Sequence, residues 1–154
     1  MLFVKRLDPR ATLPTCAHPG EDLAYDLYAI EDVVLLPGEV TKVHTGIAVE
    51  HIHAEYEFGI GYSHPADGLL IRDRSSMAAN GIMTTAGVVD SGYRGEVIVL
   101  LTNLSRYWYP KTIKAGDKIA QMIPIPVLTG EGVMAVEELH EADRGSDGFG
   151  STGR

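Results

Sequence analysis

The segment Arg144-Gly145-Ser146-Asp147-Gly148-Phe149-Gly150-Ser151-Thr152-Gly153 sets four glycines around one arginine, one aromatic ring and a Ser-Thr pair. Glycine lets the backbone turn several N–H groups toward one point, and such a concavity binds phosphate oxygens. The planar fork of Arg144 suits a terminal phosphate, and the hydroxyls of Ser151 and Thr152 add donors. Phe149 has no apolar neighbours with which to form a core, and its ring can lie over another flat ring, as a nucleobase offers. Composition alone favours a plain disordered Gly/Ser tail. The order Arg, Phe, Ser, Thr is what points to a ligand.

Three interior segments carry polar groups that a simple β core does not need. Asp26 sits among apolar neighbours in Ala24-Tyr25-Asp26-Leu27-Tyr28-Ala29, where it reads either as a hydrogen-bonding turn residue or as a catalytic or metal-binding carboxylate. Arg74-Ser75-Ser76 opens a stretch with helical character, as an ordinary helix start or as an anion site using free N–H groups and the positive dipole end. Ala86-Gly87-Val88-Val89-Asp90-Ser91-Gly92-Tyr93-Arg94-Gly95-Glu96 reads as a β-hairpin with an Asp turn. As chemistry, its carboxylate could orient a water as general base while the tyrosine ring packs on a substrate.

Other polar groups carry less. His51 and His53 form a His-x-His pair without a third ligand at metal spacing, and they read as surface histidines. The chain contains neither a Ser-His-Asp nucleophile pattern nor the Walker Gly-Lys-Ser/Thr motif.

The elements that must hold these groups are short. Apolar, β-branched runs at Val33 to Leu36, Val43 to Val49, Tyr56 to Tyr62, Val97 to Leu101 and Ile119 to Val127 are punctuated by Gly or Pro, the spacing of an all-β sandwich or barrel. Leu36-Pro37-Gly38-Glu39 and Lys114-Ala115-Gly116-Asp117 read as turns. Only Arg74 to Gly81 reads as a helix, with hydroxyls at its start and an Asn-Gly stop. At 154 residues and 45% hydrophobic content, the chain is long enough for one domain with a real core. A net charge of -8 disfavours a nucleic-acid polymer as partner, though not a single nucleotide held by local cations and a metal. Cys16 is the single cysteine, which points to a reducing compartment. With no 18-residue apolar run and charge at Lys5-Arg6, the expected location is cytoplasmic.

Taken together, the segments resemble the homotrimeric deoxyuridine triphosphatase (dUTPase) family. The resemblance rests on five ordered motifs: Ala24 to Ala29, Asp73 to Ala78, Gly87 to Glu96, Gly116 to Ile123 and Arg144 to Gly153. It implies an all-β fold, a jelly-roll-like distorted barrel over residues 1–143, with one short helix and a flexible arm over residues 144–154 that closes on the site. It further implies hydrolysis of dUTP to dUMP and pyrophosphate, limiting uracil in DNA and supplying dUMP for thymidylate synthesis. Active sites are implied at the subunit interfaces of a homotrimer, with Mg²⁺ as cofactor. By the same resemblance, Asp90 orients and deprotonates the attacking water, and Tyr93 packs where a ribose 2′-hydroxyl would clash. The backbone of Thr85, Ala86 and Gly87 reads the uracil edge. Arg74, Ser75, Ser76 and Gln121 hold the α- and β-phosphates, and Asp26 binds Mg²⁺ through water. Arg144, Ser151 and Thr152 clamp the γ-phosphate, Gly150 is a further substrate-binding position, and Phe149 stacks on the uracil.

Two positions depart from the family pattern, which usually has Gly where Ser76 stands and an acidic residue where Gly92 stands. Both departures resemble the related dCTP deaminases. That rival reading needs an arginine and a proton-carrying glutamate at positions held here by Ala79 and about Leu100, and leucine cannot carry protons. A non-catalytic nucleotide-binding regulator is the alternative from another class, and the presence of Asp90 argues against it.

Overall fold

Short β-branched runs between Gly and Pro turns fold into eleven strands and one short helix in the computed structural model, which describes residues 1–52, 66–105, 109–127, 132–138 and 140–141. In chain order these are β1 (Leu2–Arg6), β2 (Tyr25–Tyr28), β3 (Val33–Leu35), β4 (Val40–His44), β5 (Ile47–Ile52) and β6 (Ala66–Arg72). There follow α1 (Ser75–Ala79), β7 (Ile82–Thr84), β8 (Val88–Val89), β9 (Ile98–Asn103), β10 (Lys111–Ile113) and β11 (Lys118–Pro126). The largest sheet runs β1-β5-β6-β11-β2 with β8 added on β6, beside a β4-β9-β7 sheet and a β10-β3 pair. The curled sheets make the expected jelly-roll-like architecture. Between them Leu27, Leu35, Val43, Ile47, Leu101, Ile119 and Met122 are buried, the inward halves of alternating strands.

Both predicted turns form. The Glu39 amide donates to Leu36 O at 3.3 Å with Gly38 at φ 78°, and the Asp117 amide donates to Lys114 O at 3.0 Å with Gly116 at φ 87°. The run Val43 to Val49, by contrast, is two strands in two sheets. Gly46 separates them at φ 67°, and its carbonyl accepts the Leu7 and Asp8 amides at 2.8 and 3.2 Å. A side chain there would crowd Asp8, Ile30 and Ala11 at 3.0 to 3.1 Å, inside ordinary van der Waals contact. Gly46 is therefore the corner where the chain changes sheet. The run Tyr56 to Tyr62 lies outside the described residues.

The hairpin predicted across Ala86 to Glu96 does not form, because its two arms are drawn to different sheets. On one side the Ile71 amide donates to Gly87 O at 2.7 Å, and β8 then pairs with β6, with Leu70 opposite Val88 and Leu69 opposite Val89. On the other side Val97 is buried and its amide donates to Ile47 O at 2.8 Å, which delivers β9 between β4 and β7. The arms diverge and leave a gap.

The helix is shorter than predicted. It spans Ser75–Ala79, with Asn80 closing it and Gly81 leaving at φ 69°. Arg74 occupies the cap position in extended geometry without a side-chain cap bond, so the serine hydroxyls do not cap the helix. His51 is also not the surface residue predicted. Its ring is 13% exposed, and Nδ1 lies 2.6 Å from the buried Asp67 carboxylate. The pairing of β5 with β6 sets His51 directly opposite Asp67, which a sequence period cannot reveal. His53 lies outside the described residues. No described helix is long and apolar enough to cross a membrane.

Candidate active site

One group of polar residues forms where β2, β11 and the start of α1 meet. Gln121 lies directly opposite Asp26 on β2 and Arg72 on β6, so the three side chains form a row on one face of the sheet. The Asp26 carboxylate accepts from Arg74 Nε at 2.8 Å and faces Lys118 Nζ at 2.7 Å. Arg74 also donates to Ser76 Oγ at 3.4 Å and to Lys118 O at 3.5 Å. The hydrogen bond from Lys118 to Asp26, and then the charge of Asp26, raise the Lys118 pKa above its ordinary value, so the ammonium is fully charged at neutral pH. Two cations against one carboxylate leave the cluster net positive in an acidic protein. Gln121 Nε2 donates to Asp73 O at 2.9 Å, which ties β11 to the start of the helix.

The second group lines the gap between β8 and β9. A cavity of about 280 Å³ there is walled by Val88, Val89, Asp90, Tyr93, Ile98 and Leu100, among others. β8 bonds only to β6, and β9 is paired with β4 along its length but with β7 only from Leu101 to Asn103, so the free side of β8 and the Ile98–Val99 stretch of β9 face the gap without a partner strand among the described residues. Unpaired strand edges are rows of backbone donors and acceptors, the groups that read the polar edge of a base. Asp90 begins a turn in which the Tyr93 amide donates to its carbonyl at 3.0 Å. The Tyr93 ring lies against Gly95, where a Cβ would stand 2.4 Å from Tyr93 Oη, and the hydroxyl donates to Glu96 O at 3.1 Å.

The structure brings Asp26, Arg74, Ser76 and Gln121 together, with Ser75 beside them at the helix start. It brings Asp90 together with Tyr93. It does not bring the two groups together. Among the described residues, neither this cavity nor another of about 420 Å³ that Asp90 lines toward the end of β11 is lined by Asp26, Arg74, Lys118 or Gln121. Thr85, Ala86 and Gly87 line a separate cavity of about 220 Å³ with Arg72. The Thr85 amide donates to Leu100 O at 3.1 Å, and the Gly87 carbonyl is engaged by Ile71, so these two groups hold the strands rather than face a base. Arg144, Phe149, Gly150, Ser151 and Thr152 lie outside the described residues.

Lys118 is a site residue that sequence reasoning passed over. Strict alternation along β11 puts Lys118 and Gln121 on opposite faces, but the register shifts between Lys118 and Ala120, and this bulge turns both toward Asp26. The available signal was a lysine beside the Gly116-Asp117 turn. Asp73 was also missed: its carboxylate accepts the Thr84 amide at 2.5 Å and ties the helix start to β7.

The two departures from the motif pattern are accommodated. Gly92 is exposed, a Cβ there would have nothing within 4 Å, and its φ is not left-handed, so the position imposes no demand for glycine. Ser76 Oγ accepts from Arg74. Leu100 does line the Asp90 cavity, and Glu96 is the other carboxylate there. Both Glu96 oxygens are engaged, Oε2 by His44 Nδ1 at 2.9 Å and Oε1 by the Gly46 amide at 2.8 Å, so neither residue is placed to shuttle a proton.

Comparison with known proteins agrees with these observations. The model of the dUTPase family matches residues 10–153. A deoxyuridine 5′-triphosphate nucleotidohydrolase of Solibacter usitatus (strain Ellin6076) is 42% identical over 156 residues, covering 98% of this chain and 95% of the relative. One from Thermobifida fusca (strain YX) is 41% identical over 150 residues, covering 97% and 77%. Among solved structures, a mutant dUTPase of Staphylococcus bacteriophage 80alpha with dUpNHpp superposes with a TM-score of 0.81 at 25% identity, covering 100% of this chain and 99% of the other. A mutant dUTPase from phage phi11 of S. aureus, described for its coordination of a structural Mg(II) ion, gives 0.72 at 25% identity, covering 90% and 97%.

Proposed function

This chain belongs to the dUTPase family, and from that premise we propose that it hydrolyses dUTP to dUMP and pyrophosphate by attack of water on the α-phosphorus. The observation that carries the reading is the cavity of about 280 Å³ between β8 and the start of β9, which is lined by a carboxylate and a tyrosine ring. In this reading the facing backbone edges bond the uracil, Tyr93 closes against the deoxyribose, and Asp90 takes a proton from the attacking water. Thr85 to Gly87 then support the pocket instead of lining it.

Arg74, Ser75, Ser76 and Gln121 receive the α- and β-phosphates, and we add Lys118 to them. The residues present fit an outer-sphere Mg²⁺. Among the described residues no three carboxylate, His or Cys groups could cage a metal, while Asp26 is one ionised carboxylate with lone pairs left to accept from metal-bound water. That donor set suits an ion held mainly by phosphates and waters. When bound, Mg²⁺ supplies charge neutralisation along the triphosphate. Residues 144–154 form the arm in this reading, with Arg144, Gly150, Ser151 and Thr152 on the γ-phosphate and Phe149 on the uracil.

The separation of the Asp26–Arg74–Lys118 group from Asp90 within one chain supports a site completed by a second copy, as in a homotrimer. Exposed Val88, Val40 and Leu104, and the bare Val133 and Met134, supply apolar surface for such an assembly. A cytoplasmic setting accords with the single half-buried Cys16.

The test is to incubate the purified protein with dUTP and Mg²⁺ and to follow pyrophosphate and dUMP. Stoichiometric release of both is expected. Binding of dUTP without release would make the chain a nucleotide-binding regulator, and ammonia from dCTP would make it a deaminase.

A further inference from the structure

We infer that His44 is a positioning residue for sugar discrimination, acting through Glu96 on the Tyr93 ring. The inference rests on the proposed hydrolysis of dUTP and extends it to the corner between β4 and β5. Glu96 is held at both ends. Its carboxylate meets His44 Nδ1 at 2.9 Å and the Gly46 amide at 2.8 Å, and its backbone carbonyl accepts the Tyr93 hydroxyl at 3.1 Å. An ionised carboxylate only accepts, so His44 Nδ1 carries the proton of its bond. Gly46 cannot shift to follow Glu96, because its left-handed backbone and the Leu7 and Asp8 amides bonded to its carbonyl fix the corner. The corner is therefore a rigid anchor, and the side chain of Glu96 transmits its position to the carbonyl that holds Tyr93.

The ring has little other support. Tyr93 is 47% exposed, and it is confined by the Gly95 backbone on one side and the Glu96 carbonyl at its tip. A second tie from the same strand pair reaches the same turn: Arg94 is ion-paired with Glu50 on β5 and donates to Ser91 O at 2.7 Å. That tie orients the Ser91–Arg94 side of the turn and leaves the tyrosine tip to Glu96. With His44 removed, the carboxylate keeps one bond, the peptide that carries the Glu96 carbonyl is held only by the Val97 amide on Ile47 O at 2.8 Å, and the ring wall of the Asp90 cavity loosens. Deoxyribose loses packing, and the excluded 2′-hydroxyl of a ribose gains room.

The experiment compares wild type, His44→Ala, His44→Asn and Glu96→Ala. kcat and KM are measured on dUTP and UTP, dissociation constants on dUMP and UMP by calorimetry, and thermal melting on each protein. Glu96→Ala removes the ties to His44 and Gly46 and keeps the backbone carbonyl that accepts from Tyr93. His44→Ala and Glu96→Ala are expected to lower the dUTP:UTP ratio of kcat/KM about tenfold, mainly through a raised KM for dUTP. His44→Asn, whose amide can donate in place of Nδ1–H, is expected to restore most of the ratio. An unchanged ratio in a folded His44→Ala or Glu96→Ala protein overturns the inference, and so does His44→Asn behaving like His44→Ala. The dUMP:UMP binding ratio reads the same discrimination without turnover. A wild type that binds dUMP but releases no pyrophosphate would thus reject the hydrolysis reading while the binding ratio still decides the role of His44.

Discussion

Lys118 reaches Asp26, at 2.7 Å, only because β11 is bulged between Lys118 and Ala120. The bulge lets one carboxylate gather Lys118 from β11 and Arg74 from the helix start, and holds both cations on the face that Gln121 shares. Asp26→Asn keeps the shape and removes the charge that organises them. Outer-sphere partners of a metal typically contribute about 10–100-fold in affinity or activity. Asp26→Asn is therefore expected to shift the Mg²⁺ titration of dUTP turnover to higher concentration by that order, with melting little changed. Identical Mg²⁺ curves for variant and wild type would remove Asp26 from the metal's surroundings.

Gly87 has no room for a side chain. A Cβ there would stand 2.3 Å from the Ile71 carbonyl oxygen, a backbone atom that cannot swing aside. Gly87→Ala should force β8 off β6 and cost about 1–3 kcal/mol, the usual range for overpacking. Chemical denaturation measures the loss. Stability equal to wild type would show that β8 can leave β6 freely.

Asp90→Asn tests the general base. It preserves volume while removing the group that takes the proton, and such groups contribute about 10²–10⁴-fold to rate. Turnover should fall within that range while calorimetric binding of dUMP is retained. Parallel loss of binding and rate would make Asp90 a structural residue.

Acid stability follows from carboxylates outside the site. Hydrogen bonds from the Arg10 side chain and backbone lower the Asp8 pKa from 3.8 to about 2, and Lys114 and the Ala115 amide lower that of Asp32. A depressed carboxylate binds its proton more readily in the unfolded chain, so its contribution is complete above the ordinary value and disappears as pH falls through the folded one. Melting temperature should accordingly be insensitive to these pairs at pH 5 and above, and the advantage of wild type over Asp8→Asn should vanish as pH falls from about 4 to about 2. An advantage that persists unchanged at pH 2 would contradict the assignment.

Shared sites can be tested by mixing subunits. Asp90→Asn and Arg74→Ala should each be nearly inactive alone. If the two residues of one site come from neighbouring copies in a ring of three, about three-quarters of randomly mixed trimers contain both chains, and each has one intact site. Co-expression at equal levels should then restore roughly a quarter of full activity. Verified mixed trimers that stay at parental activity would place the two residues in a site within one chain.

The residue types proposed for the chemistry were largely legible in the chain itself. Asp26, Arg74, Asp90 and Tyr93 stand out because charged or hydroxyl-bearing groups lie in or beside apolar runs that otherwise need none, whereas Gln121 was named only through the family resemblance. The turns at Gly38 and Gly116 were legible for the same local reason, since positive φ favours glycine whatever the surroundings. What only the tertiary structure decided are the relations between strands. The gap between β8 and β9 exists because Gly87 is drawn to Ile71 and Val97 to Ile47, contacts between residues far apart in the chain. The facing of Lys118 and Gln121 depends on one extra residue in a ladder, and the burial of His51 depends on which strand lies beside it. Local pattern records how a segment alternates. It does not record its partner or register, because these are set by the packing energy of the whole core.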